Sequence, residues 1–564
     1  MVIHSIHIKE RKKICLLTTV LVISLSAPGF AAPAIDLPDA GQALRNTQIS
    51  ERTLSPAEKP QLTVEEQVPR LPSEVDNGRK IRVDSIRITG QEIFVSAELA
   101  GLYQDKLHQD LTLAELNQVT AKITQYFKDH GYLVAQAYLP AQEIDKGSVE
   151  IAVLVGQYGE IILKNKSSVS DAVVKQQIAG LRSGAYITNQ DLERAVLLAG
   201  DLAGVAAKVT LTPGKSIGTA DCIVEVANKS GEIRGSINVN NWGNRFIGRI
   251  QSTVSYQVLN PTRSGDKLSL NLMSADNDIS LIDASYRLPV AEGLTFNAGY
   301  SKVRYWLGED YRYLDAHGTA YRKHADLTWA MLRSRNANLN VQFGYDHKTL
   351  RDLIDYSGVE TNKTSHSISL GLSGDSRDSL WGGGLNAYAV AWYDGRLSAE
   401  SNTTLPPTGH WQKTTYNFFR QQNLNDRLFL QTSLSGQWAS TNLDSSERFS
   451  LGGATGVRAY PADEASGDVA WLLNGELHWN IPVAKSGHML QLISFYDTGV
   501  SHIEKNSTNA DNRRSLSGAG LGVLWGMPGS YAVKVNYAWK IGSAAAQSDT
   551  DKNGRLWLQA VKTF

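Results

Sequence analysis

The sequence predicts two small α+β units followed by an all-β transmembrane barrel of about sixteen antiparallel strands. The first part is indicated by residues 79–156 and 157–228, which both follow the order strand, helix, helix, strand, strand. The second part is indicated by apolar and polar residues that alternate, in segments of roughly ten, from about residue 231 onward. A closed barrel satisfies its backbone hydrogen bonds without helices, so such a chain can cross a membrane.

The overall composition limits the class of protein. The chain has 564 residues, which exceeds one ordinary domain, and its 56 basic and 56 acidic side chains balance. That balance gives no electrostatic reason to expect nucleic acid as a partner. Cys15 lies in a segment that we expect to be removed, which leaves Cys222 with no disulfide partner and no cysteine metal cluster. Such a cysteine is usually a small buried apolar residue, and the sequence assigns Cys222 no function.

Residues 1–31 have the composition of a signal peptide. Four basic residues, at positions 9 and 11–13, precede the apolar segment Ile14–Leu25, which is too short to span a bilayer. Small residues at Gly29–Ala31 or Phe30–Ala32 offer a cleavage site. We see no long apolar run free of charges in the remainder, so no transmembrane helix is predicted for the mature chain.

A polar leader and a linker follow. Residues 32–54 are predicted to form a helix with Asp39 as its N-cap, directly after Pro38. Its only apolar anchors are Leu44 and Ile49, so it has no obvious core to join, and a disordered leader is the open alternative. Residues 55–78 predict a linker that is extended at its prolines, at positions 56, 60, 69 and 72.

Each α+β unit is predicted from apolar periodicity and turn residues. The first unit is expected to contain the strand Lys80–Thr89, two helical stretches of which the second covers about 112–130, and the strands Tyr132–Leu139 and Ser148–Val155. The second unit is expected to contain the strand Gly159–Leu163, the helices Asp171–Ile178 and Thr188–Leu202, and the strands Val205–Leu211 and Ala220–Val226. Two unrelated small domains remain the alternative.

Residues 229–564 are predicted to form the barrel. In one strand Trp471, Leu473, Leu477 and Trp479 share a face, and Asn474, Glu476, His478 and Asn480 share the other. A soluble sandwich also alternates, but here the polar face stays polar through many consecutive strands. We place strand centres near residues 236, 252, 270, 284, 299, 326, 344, 369, 390, 416, 432, 474, 494, 520, 536 and 559.

One glycine-rich segment between the eleventh and twelfth strands, Leu451–Tyr460, is too apolar for an ordinary exposed loop. Gly452, Gly453 and Gly456 permit backbone angles closed to other residues. They precede an apolar group, a fixed cation and an aromatic ring: Val457, Arg458 and Tyr460. If the loop folds into the lumen, Arg458 needs an acid there, and Asp497 on the thirteenth strand can supply a charge-assisted pair. A plain hairpin loop and an unrelated aspartate form the alternative.

These two segments resemble motifs of the Omp85 superfamily. Val457-Arg458-Ala459-Tyr460 is similar to the V-R-G-Y motif of the loop that folds back into the barrel, except that Ala459 replaces the usual glycine. Phe495-x-Asp497-x-Gly499 is similar to the partner motif on a barrel strand, and Phe564 resembles the terminal aromatic of the barrel-assembly signal. The two α+β units resemble POTRA domains, which are periplasmic polypeptide-binding modules.

The whole order of segments resembles the two-partner secretion transporters, the haemolysin-activator and haemagglutinin exporters. The barrel entry, Asn241–Arg249 and Asn260–Asp266, is also similar to that family. The resemblance implies a bacterial outer-membrane location with periplasmic N-terminal units, a leader helix that plugs the pore, and outer-membrane lipid and the barrel-assembly machinery as partners. It implies export of a large secreted protein, an adhesin, a haemolysin or a contact-dependent toxin, with activation of that cargo left open. An Omp85-type insertase is the alternative.

An enzyme is the alternative from another class, and the sequence does not favour it. We find no G-x-S-x-G, P-loop, H-E-x-x-H or Cys/His motif, and we predict no catalytic residue, cofactor or metal. His478, Asp326 and Asp346 are interpreted as polar residues of the lumen rather than as acid or base catalysts. A passive porin is a third interpretation, which leaves the two N-terminal units without a role.

Overall fold

The computed structural model describes residues 37–47, the backbone of 61–64, and residues 80–564 except 145, 230, 232, 277–278, 404–405 and 484–486. The predicted signal peptide, Ile49 and most of the predicted linker lie outside the described residues. Among the helices of the described ranges, none is long and apolar enough to cross a membrane.

Two short elements precede the α+β units: helix α1 (Ala40–Thr47) and strand β1 (Gln61–Val64). The Asp39 carboxylate accepts a hydrogen bond from the Gln42 backbone N–H at 2.9 Å, as expected of an N-cap. Strand β1 lies within residues 55–78, which the sequence predicted to be a linker only, so that prediction is wrong for four residues. A strand of this length gives no alternation that a sequence pattern can reveal.

The first unit has five strands where three were predicted, because the predicted strand Lys80–Thr89 is divided at Asp84 and one short strand is additional. Its elements are β2 (Ile81–Val83), β3 (Ser85–Thr89), α2 (Ser96–Ala100), β4 (Gln109–Leu111), α3 (Leu113–Asp129), β5 (Gln136–Tyr138) and β6 (Ser148–Leu154). β4 pairs with β2 and, at three residues, is too short to be seen in the sequence. Residues 132–135 were predicted as strand but form a turn after α3, in which the Tyr132 N–H donates to Phe127 O at 3.0 Å.

The second unit follows its predicted order. Its elements are β7 (Gln157–Lys166), α4 (Asp171–Gln177), α5 (Asn189–Gly200), β8 (Val205–Pro213) and β9 (Thr219–Asn228). The sheet order is β1-β8-β9-β7, so β1 lies parallel to β8 and covers that edge of the sheet. Cys222 is fully buried in the core, and this burial raises the pKa of its thiol to about 12, which makes it an apolar core residue.

Sixteen antiparallel strands close into a barrel, in which the last strand pairs with the first. All sixteen predicted strand centres fall within them. The strands are β10 (Ile233–Asn240), β11 (Gln251–Leu259), β12 (Lys267–Ala275), β13 (Ile279–Ala291), β14 (Leu294–Trp306), β15 (Ala316–Arg333), β16 (Ala337–Ile354), β17 (Val359–Asp378), β18 (Gly384–Ser401), β19 (Gly409–Asn423), β20 (Leu428–Ala439), β21 (Val469–Ile481), β22 (Met489–His502), β23 (Arg513–Met527), β24 (Tyr531–Lys540) and β25 (Gly554–Thr563).

The barrel wall is apolar outside and polar inside, as the alternation predicted. On β21 Trp471 and Trp479 are exposed on the outer face, whereas Glu476 and His478 point into the lumen and are largely covered there. Large exposed apolar side chains continue around the outer face; examples are Leu327, Phe343, Leu370, Trp392, Phe418, Leu434, Leu492, Leu521 and Trp525. This face is suited to lipid.

The second unit is attached to the turns at one end of the barrel. Arg333, at the end of β15, forms a two-point ion pair with Asp201 at 2.7 and 2.8 Å. Arg194 of α5 donates to Ala330 O at 2.9 Å. A cavity of about 550 Å³ lies between this unit and the barrel mouth. These contacts fix the second unit beside an opening into the lumen.

We predict that a cation is tolerated on one face of the wall only. Phe343 faces outward, and its neighbour Gln342 faces the lumen. Phe343→Arg should destabilise the inserted barrel by about 2–4 kcal/mol if it lies near the bilayer midplane, because the charge meets lipid. Gln342→Arg is the matched control and should insert normally. Heat-modifiable gel mobility measures the folded fraction, and equal folded fractions would contradict a lipid-facing surface at residue 343.

Candidate functional site

The loop between β20 and β21 folds into the barrel; we call residues 440–468 the inner loop. Leu451, Val457 and Tyr460 are completely buried there. The predicted glycines permit this fold: Gly453 has a φ of +112°, and a Cβ at Gly452 or Gly456 would overlap neighbouring backbone. Hydrogen bonds within the loop, such as Val457 N–H to Leu451 O at 2.7 Å, fix the turn.

Arg458 lies at the centre of the site and contacts Asp497 of β22 through the edge of the guanidinium formed by Nε and Nη2. Its Nε and Nη2 donate to the two carboxylate oxygens at 2.8 and 2.6 Å, and its backbone N–H donates at 3.1 Å. The pair is almost fully enclosed, since Arg458 is 2% exposed and Asp497 0%. The guanidinium carbon also lies 3.5 Å from the centre of the Phe495 ring. The structure thus brings together the two predicted motif residues.

A second acid, which the sequence did not pair with the motif, also contacts the guanidinium. Arg458 Nη1 donates to Glu476 on β21 at 2.5 Å, and the other Glu476 oxygen lies 2.9 Å from His478 Nε2. Asn474, on the same lumenal face, donates to Asp497 at 2.8 Å and to Gly456 O at 3.1 Å. Alternation had placed these side chains in the lumen, but only the strand register, Asn474 opposite Asp497, brings them to Arg458.

Small residues let the inner loop lie directly against the wall. A Cβ at Gly499 would come within 2.6 Å of Trp471 O and 2.9 Å of a Leu451 methyl group. The φ angle of Ala459 is not positive, so alanine causes no backbone strain at the position where the family motif has glycine. The Ala459 side chain is buried and lies against Gly518 of β23.

Tyr460 connects the inner loop to the segment between β24 and β25. Its hydroxyl donates to Ala544 O at 3.0 Å, and the Lys540 ammonium lies 4.7 Å from the centre of its ring. Glu464 of the inner loop accepts from Ser548 in the same segment at 2.8 Å. The Trp557 indole N–H donates to Arg458 O at 2.7 Å. The inner loop is therefore held from several sides of the barrel.

Helix α1 also lies inside the barrel, against β14, β15, β16 and the inner loop. Lys363 of β17 donates to Asp39 at 2.7 Å and to Asp444 of the inner loop at 2.8 Å. Arg45 binds Ser445 O at 2.5 Å and Asp463 at 3.2 Å. The predicted anchor Leu44 is buried, so the partner surface of this polar helix is the lumen and the inner loop.

Water-accessible space remains beside α1. A cavity of about 790 Å³ lies between the helix and strands β12–β16, and Asp326, Arg322 and His324 line it. Arg322 pairs with Asp346 on the next strand at 2.5 Å. The prediction that Asp326, Asp346 and His478 belong to the lumen is confirmed for all three.

Phe564, the predicted assembly signal, pairs through its backbone with Gly235 at the barrel closure.

One small cluster has the composition of a cation site. Ligand atoms of Asp315, His317 and Asp355 lie within 4.8 Å of one another, where β15 begins and β16 ends. Exposed acidic groups commonly cluster in this way without an ion, and we assign the cluster no role.

The closed apolar-faced barrel, its inner loop and the attached α+β units define an outer-membrane β-barrel transporter of the Omp85 superfamily. Residues 218–524 match the family described as haemolysin secretion/activation protein ShlB/FhaC/HecB, and residues 81–156 match the ShlB-type POTRA domain. Since the first match covers more than half of the chain, the protein belongs to this family of two-partner secretion transporters. Its N-terminal units are periplasmic, so the barrel end beside them faces the periplasm and the other end the exterior.

Two curated relatives are similar over most of their length. The haem/hemopexin transporter protein HuxB of Haemophilus influenzae is 27% identical over 551 residues, which cover 94% of this chain and 96% of the relative. The outer membrane transporter CdiB of Escherichia coli is 22% identical over 458 residues, 79% and 76% of the two chains. Both are described as transporters.

Solved structures share the fold. CdiB from Escherichia coli aligns with a TM-score of 0.70 at 20% identity, over 93% of this chain and 96% of that chain. BamA from Haemophilus ducreyi, lacking POTRA domains 1–3, aligns with a TM-score of 0.51 at 14% identity, over 86% and 100%. These likenesses show a common architecture.

We predict that breaking the Arg458–Asp497 pair releases the inner loop but leaves the barrel intact. Removing one partner of a buried pair costs about 3–5 kcal/mol, because the other charge is left buried. In a Cys222→Ala background, a Leu451→Cys probe should be protected from maleimide in the parent and labelled after Arg458→Ala or Asp497→Ala. The double variant should be labelled no faster than the single variants, since all remove one contact.

The matched control for this prediction is a lumenal Arg–Asp pair that does not touch the inner loop. Arg322→Ala and Asp346→Ala should leave the Leu451→Cys probe protected, with normal heat-modifiable mobility throughout. Additive labelling rates in the Arg458/Asp497 double variant would mean that the two residues act independently.

Proposed function

We propose that this transporter recognises an unfolded secreted partner protein through its periplasmic POTRA units and exports it through the barrel lumen. The supporting observation is that the lumen is occupied by two elements, α1 and the inner loop. Helix α1 is attached by polar side chains such as Asp39, whereas the inner loop is continuous with β20 and β21 and is held to the lumenal wall by the ion pairs of Arg458 and by apolar packing. A lumen lined with polar groups suits an extended, hydrated polypeptide once these elements move.

The two elements are linked to each other, which supports a coordinated opening. Asp39 and Asp444 share the Lys363 ammonium, and Asp463 of the inner loop accepts from Arg45 and Asn46 of the helix. Release of α1 would leave Lys363 and Asp463 with fewer partners, and unpaired buried charges are unfavourable. We infer that the helix is the resting plug and that its exit loosens the inner loop.

The POTRA sheets support recognition by strand addition. In the second unit the β8 edge already carries an added strand, β1, from the segment that was predicted to be a linker. This shows that β8 can accept an extended segment, which is how β-augmentation captures polypeptides. We propose that the cargo either displaces β1 or pairs with another strand edge, and that folding outside the cell drives export.

The proposal also implies a class of cargo and a role for each end of the chain. The cargo class is a large secreted protein, such as an adhesin, a haemolysin or a contact-dependent toxin. Residues 1–31 would direct the chain to the periplasm, and Phe564 would present the C-terminal strand to the barrel-assembly machinery. The open pore would also conduct ions.

We predict that removing α1 opens the pore. Deletion of residues 39–47 should raise single-channel conductance in planar bilayers, because the helix fills part of the lumen. Asp39→Ala combined with Arg45→Ala should also raise the open probability of the channel, since both side chains attach the helix. Gln42→Ala is the control within the helix, because its side chain makes none of these attachments. Unchanged conductance after deletion would remove the plug from the mechanism.

We predict that β1 competes with cargo for the β8 edge. Replacing Gln61–Val64 with Gly-Ser-Gly-Ser keeps the linker length but weakens strand pairing. A photocrosslinker at Ala206 of β8 should then trap more of the secreted partner, sought first as the product of the neighbouring gene. A crosslinker at Glu160 of β7, on the opposite edge, is the control. Lower trapping at Ala206 after the replacement would show that β1 assists capture instead.

A further inference from the structure

Four basic side chains lie side by side across the outer face of the barrel. Lys323 of β15 is in register with His347 of β16, His347 with His366 of β17, and His366 with Arg396 of β18. Residues directly opposite on antiparallel strands have Cβ atoms about 4.5–5.5 Å apart. The four side chains therefore form a continuous strip, which we call the basic row.

The basic row faces away from the lumen. On β16 the neighbours of His347, Asp346 and Lys348, point inward, where Lys348 pairs with Glu447 of the inner loop. On β17 Ser365 and Ser367 are buried on the lumenal side, whereas His366 between them is exposed. Lys323 and Arg396 are exposed as well. These side chains do not serve the transport path.

The basic row borders the apolar band on its extracellular side. Going toward the periplasmic end of each strand, the outward positions beyond the row become apolar, on β18 after the outward acid Asp394. They are exposed, and they include Leu327 and Trp329 on β15, Tyr345 and Phe343 on β16, Ile368 and Leu370 on β17, and Trp392 and Val390 on β18. Acyl chains cover such a band, so the row lies at the level of the lipid headgroups.

The positive charge of the row is not neutralised by the protein. Within the part of the chain that the structure describes, neither Lys323 nor Arg396 has a carboxylate within ion-pair distance. The nearby outward acid Asp394 is engaged by His410 at 2.9 Å and by Gln412 at 2.7 Å. Farther out on the same face, by contrast, Arg351 is paired with Glu360 at 2.9 Å.

The two histidines add hydrogen-bonding groups between the cations. The Nδ1 atoms of His347 and His366 lie 3.0 Å apart, and the Tyr345 hydroxyl lies 2.9 Å from His366 Nδ1. One more cation, Lys302 on β14, lies 5.3 Å from the centre of the Tyr321 ring and extends the positive surface beyond Lys323. Together these groups offer positive charge and several donors to a multiply charged oxyanion.

We propose that the basic row binds the phosphate groups of a phosphorylated lipid in the outer leaflet of the outer membrane. A free phosphate would meet only exposed side chains, whose contacts with it are weakened by water. A lipid additionally places its acyl chains on the apolar band directly below. The row and the band together therefore select a phosphate that is attached to a lipid.

The test measures lipid binding to the full-length protein purified in a non-ionic detergent. Native mass spectrometry follows titration with lipid A, a bisphosphorylated glucosamine lipid, and with the same lipid after removal of both phosphates. We expect retained lipid A adducts and much weaker retention of the dephosphorylated lipid. Lys323→Gln combined with Arg396→Gln should weaken lipid A binding by about twenty-five-fold, at about fivefold for each interfacial cation.

The matched control removes two cations from another part of the extracellular end, one in the connection between β22 and β23 and one at the start of β23. Lys505 lies near Trp438, and Arg513 is at the outer end of β23. Lys505→Gln with Arg513→Gln should leave lipid A binding unchanged, and heat-modifiable mobility confirms that each variant is folded. Equal binding of the two lipids by the parent protein would overturn the proposal without any variant. Undiminished binding by the Lys323/Arg396 variant, or displacement of lipid A by inorganic phosphate at equal concentration, would also overturn it.

Discussion

The structure depends on the neutralisation of one cation, Arg458, inside a barrel whose outside is lipid. A guanidinium cannot lose its proton in proteins, so burial requires acids at fixed positions. Asp497 meets it with both oxygens and Glu476 supplies a third contact. Because these acids lie on adjacent wall strands, the cation on the inner loop fixes the loop to the wall, and the apolar residues around it exclude water.

The remaining contents of the lumen follow from the position of that loop. Once residues 440–468 fill one side of the barrel, they offer Asp444, Ser445 and Asp463 to a helix on the other side. Helix α1 presents Asp39 and Arg45 to those groups and to Lys363. A helix that is polar nearly all round is thus stable here, because it is surrounded by polar partners rather than by an apolar core.

The two faces of the wall carry different functions. The lumenal face holds the ion pairs that attach α1 and the inner loop, whereas the outer face presents apolar side chains with the basic row at their extracellular border. Strict alternation along each strand allows neighbouring residues such as His347 and Lys348 to serve these separate environments. The long strands β15–β18 extend the wall far enough to carry both the apolar band and the row.

The sequence by itself determined the class of fold and most of its elements. Alternation fixes which side chains face outward, because the period of a strand is two, and it placed Asp497 and Glu476 on the lumenal side. Spacing and resemblance indicated that Arg458 meets Asp497. The tertiary structure alone decided what depends on register and on contacts distant in sequence. It brought Glu476 and Asn474 to the motif, showed that Ala459 fits without strain, and paired β1 with β8. It also placed α1 against the inner loop and aligned Lys323, His347, His366 and Arg396. These are relations between segments, and local periodicity carries no information about them.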